Sequence, residues 1–206
     1  MRNLMCILLI QLIVSCGQAS KKDDKSFKQE TFTRLEVPSS TIDKSKLVYD
    51  NKISIWTLDG EKFSGYALTY FPDGTIKQKM GILEGRKQNE TKDWYANGQI
   101  KHIAHYHKGK LHGEKKTWSA DSRHLLISLL NYNSGKLHGV QKKWYSTGEL
   151  FKVLNMNMGK EEGIQKAFRE NGDLFANYEA KEGRNYGLKR AFLCVGLEDE
   201  VVQYEN

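Results

Sequence analysis

Long hydrophobic runs are nearly missing from this sequence. Of its 206 residues only 39% are apolar and the mean hydropathy is −0.63, which excludes a polytopic membrane transporter and a thick α/β enzyme core. Cysteine is scarce as well, with Cys6, Cys16 and Cys194 the only three. Catalytic signatures are lacking too. No nucleophile, base and orienting group form a constellation, no glycine-rich loop leads into a helix to cradle phosphate, and no carboxylates pair with catalytic logic. The expectation is a protein that is not an enzyme and that needs no cofactor and no metal. His105 and His107 share a strand face, yet the third and fourth ligands that zinc wants are lacking. The basic excess, 32 Lys and Arg against 25 Asp and Glu, is too modest to point to nucleic acid. What is present in quantity is aromatic residues, at 11%, which excludes wholesale disorder.

The one apolar run, Leu4 to Val14 broken only by Gln11, follows a single charge at Arg2. It is shorter than the ~20 residues a bilayer span needs and fits the hydrophobic region of a secretory signal. Ile13-Val14-Ser15-Cys16 at its end resembles the bacterial lipobox, where a peptidase cuts before a cysteine that carries diacylglycerol. The resemblance implies that residues 1–15 are a lipoprotein signal peptide, that Cys16 is lipidated, and that the chain is membrane-anchored in the cell envelope, at the outer membrane facing the periplasm or the surface. Several acyl chains, each contributing about 0.8 kcal/mol per buried CH₂, make such an anchor stable. With Cys16 modified, Cys194 has no partner for an intramolecular disulfide and is expected to be buried. Residues 16–45 carry mixed charge and no sustained period, and read as the lipidated Cys followed by a flexible tether. Within it, Lys21-Lys22-Asp23-Asp24 reads either as a sorting cue for export or as solvated spacer.

From Gly65 onward the glycines reveal a repeat of about 24 residues. A first mark falls at Gly85, Gly109, Gly135, Gly159 and Gly183. Four residues later stand Gly113, Gly139, Gly163 and Gly187, with Gly65 opening the series and Asn89 in place of glycine, the substitution best tolerated at positive φ. Five residues further come the aromatics Tyr70, Trp94, Trp118, Trp144, Phe168 and Phe192, and four beyond them Gly74, Gly98, Ser122, Gly148, Gly172 and Gly196. Asp73-Gly74, Asn97-Gly98 and Asn171-Gly172 are strong hairpin-turn signals. Apolar residues two apart after each turn, as in Leu150, Leu154 and Met156, mean strand. The third unit is two residues longer around Asp121 to His124, an insertion that keeps every side chain on its face. The expected fold is all-β, an elongated single-layer sheet of tandem antiparallel β-hairpins. Residues 46–64 form a capping strand, with Trp56 covering the first unit. The repeat domain spans residues 65–206 and ends in an acidic cap, Glu198-Asp199-Glu200.

Gly-Lys-Leu-His-Gly-x4-Trp at 109–118 and 135–144, followed by Tyr-x2-Gly-x-Leu at 145–150, resembles the bacterial variant of the MORN repeat. The resemblance covers residues 61 to about 196 in six units. It implies a run of β-hairpins that binds a partner. It also implies a link to the YwqK-type antitoxins of toxin–antitoxin systems, which would make the partner a toxin.

Three residues after the second mark stand Lys92, Lys116, Lys142, Lys166 and Arg190. By strand parity this ladder shares a face with the aromatics, which are expected to form the repeat core. Equivalent positions lie two strand spacings apart, roughly 10 Å. Such a basic, aromatic face suits an acidic envelope protein, an anionic glycan or lipid headgroups. Alternatively, the lysine stems simply cover the rings.

Overall fold

The computed structural model describes residues 35–188. The signal peptide, Cys16, Arg190, Phe192, Cys194 and the acidic cap at 198–200 lie outside the described residues.

Four short strands precede the repeats: β1 (Thr41–Asp43), β2 (Val48–Asp50), β3 (Ile55–Leu58) and β4 (Glu61–Lys62). Each unit then contributes a hairpin arm pair. These are β5 (Gly65–Tyr70) with β6 (Ile76–Leu83), β7 (Arg86–Trp94) with β8 (Ile100–His107), and β9 (Lys110–Trp118) with β10 (Leu126–Asn133). In the next two units the first arm is broken in two: β11 (Lys136–Leu137) and β12 (Gly139–Trp144) face β13 (Leu150–Asn157), and β14 (Lys160–Glu161) and β15 (Gly163–Phe168) face β16 (Leu174–Lys181). β17 (Arg184–Leu188) follows. All belong to one 14-stranded sheet except β2–β4, which form a separate three-stranded sheet. The all-β hairpin architecture is therefore the observed fold, and neighbouring strands are antiparallel except β1, which pairs parallel with β5.

Two turn types alternate, and the backbone dictates both. On one edge the two-residue turns Glu84-Gly85, Lys108-Gly109, Ser134-Gly135, Met158-Gly159 and Glu182-Gly183 have positive φ at both positions, as a type I′ hairpin requires. On the other edge the Asp-Gly and Asn-Gly signals do make hairpins, but through three-residue loops. Phe71 N–H donates to Thr75 O at 2.8 Å and Gly74 N–H to Phe71 O at 2.9 Å, and in that loop only the glycine has positive φ. Asp73 Oδ1 accepts the Thr75 N–H at 2.9 Å, the local side-chain bond that favours Asp and Asn there. Asn89 sits at φ 59°, in the conformation its glycine counterparts adopt. The two extra residues of the third unit lie wholly in the loop tip: Trp118 pairs with Leu126 as Trp94 pairs with Ile100. That tip also binds its neighbours. His124 Nε2 is 2.6 Å from Ile100 O and Arg123 donates to Ser146 O at 2.6 Å, so one loop bridges three units.

Two expectations are corrected. The tether does not reach residue 45. Asn89 Nδ2 donates to Leu35 O at 2.8 Å, Tyr66 N–H donates to Ser40 O at 2.7 Å, and β1 covers the exposed edge of β5, which would otherwise present unpaired backbone groups. The cap is a three-stranded sheet with a turn at 51–54, not one strand. Trp56 does cover the first unit, packed with Ile42 and Leu58 against Leu47, Phe63, Ala67, Met80 and Ile82.

That cluster is the main apolar core, with Ala67 and Ile82 wholly buried. A second buried group, Ala167, Leu174, Ala176, Tyr178 and Ala180, lies at the other end of the described sheet. Between them Gln88, Thr91 and Ala104 are still buried, but further on both faces open to solvent. All of β10 is half-buried, as is β9 beyond Lys110. There the sheet is held by its backbone ladder and by polar side chains built into it. Gln141 and Gln165 are buried where β12 and β15 bulge. Each accepts from a backbone N–H and donates to the carbonyl of the same residue, Asn131 for Gln141 and Asn155 for Gln165.

Candidate functional site

The two faces of the sheet differ in kind. Directly paired residues share a face, so the pairing places Ala67, Met80, Thr91, Ala104, Lys115 and Leu130 on one side, the side the capping sheet covers at its start. The opposite face carries the lysine ladder. Across the strands run Lys79, Lys92, Ile103, Lys116, Leu129, Lys142, Val153 and Lys166, each the direct partner of the next. After the paired Lys79 and Lys92, a basic residue alternates with an aliphatic one, at about 4.8 Å per step. Lys92, Lys116, Lys142 and Lys166 do form one row.

The row is not uniform in charge. Lys92 Nζ lies 2.6 Å from Glu90 Oε1 and Lys116 Nζ 2.7 Å from Glu114 Oε2, because Glu and Lys two apart on one strand point the same way. Both lysines are half-buried. In the next two units the same slot holds Val140 and Ile164. Lys142 and Lys166 are exposed, and among the described residues neither makes an ion pair. The free positive charge thus gathers on β12 and β15, beside Val140, which is 41% exposed.

The aromatic ladder stands on this face and is not the buried core. Trp94, Trp118, Trp144 and Phe168 are half-buried and Tyr70 is 41% exposed. Each faces the aliphatic residue that opens the next strand: Ile76, Ile100, Leu126, Leu150 and Leu174 respectively for Tyr70, Trp94, Trp118, Trp144 and Phe168. The cap lands on the other side, so these rings keep one surface toward solvent. Sequence parity and the strand pairing agree on the lysine row from Lys92 to Lys166. Parity missed the neutralising Glu90 and Glu114, although Glu-x-Lys in two units against Val-x-Lys and Ile-x-Lys in two others is visible in the sequence.

The histidines serve structure. His105 Nδ1 is 2.8 Å from Glu114 O, and the His107 and His112 rings meet edge-on at 6.0 Å. No group of three or more His, Cys, Asp or Glu side chains that could hold a metal converges among the described residues. On the capped side, His102 Nε2 lies 2.6 Å from Asp93 Oδ2 and Gln78 Nε2 donates to Asp93 Oδ1 at 2.8 Å. Burial alone would raise the Asp93 carboxyl, but the hydrogen bonds from His102 and Gln78 and the charges of His102 and Lys101 outweigh it and hold it below the usual carboxylate range. A carboxylate whose folded pKa is depressed stabilises the fold above its unfolded value, about 3.9, and that contribution disappears as pH falls through the folded value. Melting followed from about pH 6 to 2 should therefore drop more steeply at the acid end for the native chain than for Asp93→Asn; parallel curves would show that Asp93 contributes nothing.

The model of the MORN repeat variant family matches residues 87–108, the β7–β8 hairpin with its arms and loop. No curated protein and no solved structure matches the chain. A repeat-built β-sheet carrying this repeat is the architecture of a binding module.

Proposed function

We propose that this protein is a non-enzymatic, lipid-anchored envelope protein that binds an acidic partner, protein or glycan, on the lysine face of its fourth and fifth units. The observation that carries the reading is the exposure of Lys142 and Lys166, neither in an ion pair with a described residue although Glu179 stands across from Ile164, on the face that also presents Trp144 and Phe168. Charge there steers an anionic partner, and half-exposed rings and Val140 supply area that releases water. The envelope address rests on the apolar run at 4–14 and on Cys16.

The test is affinity capture from the native envelope. Lys142→Glu with Lys166→Glu should abolish capture while leaving melting nearly unchanged, since exposed lysines contribute little to stability. Lys92→Glu with Lys116→Glu, whose charges are already neutralised, should weaken capture less. Equal losses from both pairs would refute the assignment to the fourth and fifth units. Recovery of a single stoichiometric toxin, indifferent to Cys16→Ser, would favour instead an antitoxin or immunity protein that neutralises it.

A further inference from the structure

A second site lies on the other side of the sheet, where the capping hairpin overhangs the type I′ turns. A cleft of about 420 Å³ opens there, within the ~300–1,000 Å³ range of small-ligand pockets. Four cations line it, Arg86, Lys87, Lys108 and Lys110, and no carboxylate does. None of the four makes an ion pair with a described residue. Its walls are aromatic: Tyr49 and Trp56 from the cap, with ring centroids 4.5 Å apart, and Tyr106 from β8.

From this geometry we infer that the cleft binds an acidic saccharide, a sugar ring carrying a phosphate or carboxylate. The charge requires an anion. Like charges converge between low-dielectric walls, which focuses the positive potential in the cleft. Lys87 is disfavoured as a cation there: partial burial first, then the charges of Lys44 and Lys115 behind the cleft, push its ammonium pKa down against the pull of Asp93, so an incoming anion would stabilise its charged form. The walls require a ring with an apolar side. Lys87 Nζ stands 4.9 Å from the Tyr106 centroid and Lys44 Nζ 5.2 Å from that of Trp56, so the C–H side of a pyranose packs on the remaining aromatic surface while its hydroxyls meet Ser54 and the lining ammonium groups. The site is independent of the lysine face, because it is built from the cap and from the strand ends flanking the β6–β7 and β8–β9 turns.

Calorimetry on the full chain tests this with glucose 6-phosphate, glucose, inorganic phosphate and a galacturonic acid oligomer as probes. Saturable binding of glucose 6-phosphate or the oligomer below about 1 mM, with glucose and inorganic phosphate each at least tenfold weaker, is the expected result; the tighter of the two acids tells whether the natural source is a free sugar acid or a polymer. Phosphate binding as tightly as the sugar phosphate overturns the saccharide, glucose binding as tightly overturns the anion, and no binding by either acid overturns the site. Arg86→Gln with Lys110→Gln replaces two exposed cations and should weaken binding at least tenfold at unchanged melting temperature. Undiminished binding in that variant also overturns the proposal.

Discussion

Gln165→Ala should destabilise the protein by about 2–4 kcal/mol, out of proportion to the loss of one polar side chain. Gln165 is wholly buried, and its amide stands where the bulge at Gly163 has removed a backbone partner. Oε1 accepts the Asn155 N–H at 2.9 Å, while Nε2 donates to Asn155 O at 2.8 Å and Gly163 O at 3.1 Å. Truncation leaves the Asn155 N–H without a partner, at a cost of about 1–3 kcal/mol, while Asn155 O keeps the bond it accepts from Glu162 N–H at 3.0 Å, and it opens a void. Gln165→Leu refills the void without restoring the bonds, so it should recover only part of the loss. Equilibrium urea unfolding gives the size of the effect, and hydrogen exchange at the Asn155 amide locates it. A loss below about 1 kcal/mol would mean that water replaces the amide.

Gly85→Ala is expected to cost roughly 2–4 kcal/mol and to loosen the cap, whereas Gly159→Ala in the equivalent turn should cost only about 1. Both glycines hold positive φ, 73° and 91°, so both variants carry the same conformational penalty. They differ in what surrounds them. A Cβ at Gly85 would lie 2.4 Å from Ile55 Cγ2 and 2.9 Å from Trp56 O, while nothing lies within 4 Å at Gly159. Gly85 also exchanges backbone bonds with the cap, donating to Phe63 O and accepting from Trp56 N–H, both at 2.8 Å. The difference in melting between the two variants therefore measures cap docking alone. Equal melting temperatures would show that the cap shifts freely and adds no stability there.

The turns were legible in the sequence because the second position of each type I′ turn, at positive φ, is glycine in all five, a residue that adopts that conformation without strain; the first position, also at positive φ, carries Glu84, Lys108, Ser134, Met158 or Glu182 and gave no signal. The lysine row was legible because strand parity is strict. The core was not. Parity says that Trp118 and Lys116 share a face, but not which face is covered, and that is decided by a cap whose contacts span the gap from Leu47 to Ile82. Once the cap lands there, Ala67, Met80 and Ile82 become the interior and Trp94, Trp118 and Trp144 stay half-buried. β1 was hidden for a related reason. Thr41-Ile42-Asp43 offers a single apolar residue, and its pairing comes from an open edge 25 residues away. The cleft, too, depends on long-range placement of Tyr49 and Trp56 over lysines that look ordinary in sequence.

The order of strands across the large sheet follows the order of the chain from β5 to β17. Each new hairpin needs only its immediate predecessor as a template, so contacts stay local and loop closure is cheap, the condition for rapid folding. A nascent chain can therefore assemble this sheet as it emerges, one hairpin at a time and without waiting for its C-terminus. β1 is the exception. It is made before β5 and must wait for it, so covering the first edge is a late event, and until then that edge is where two unfinished chains would join.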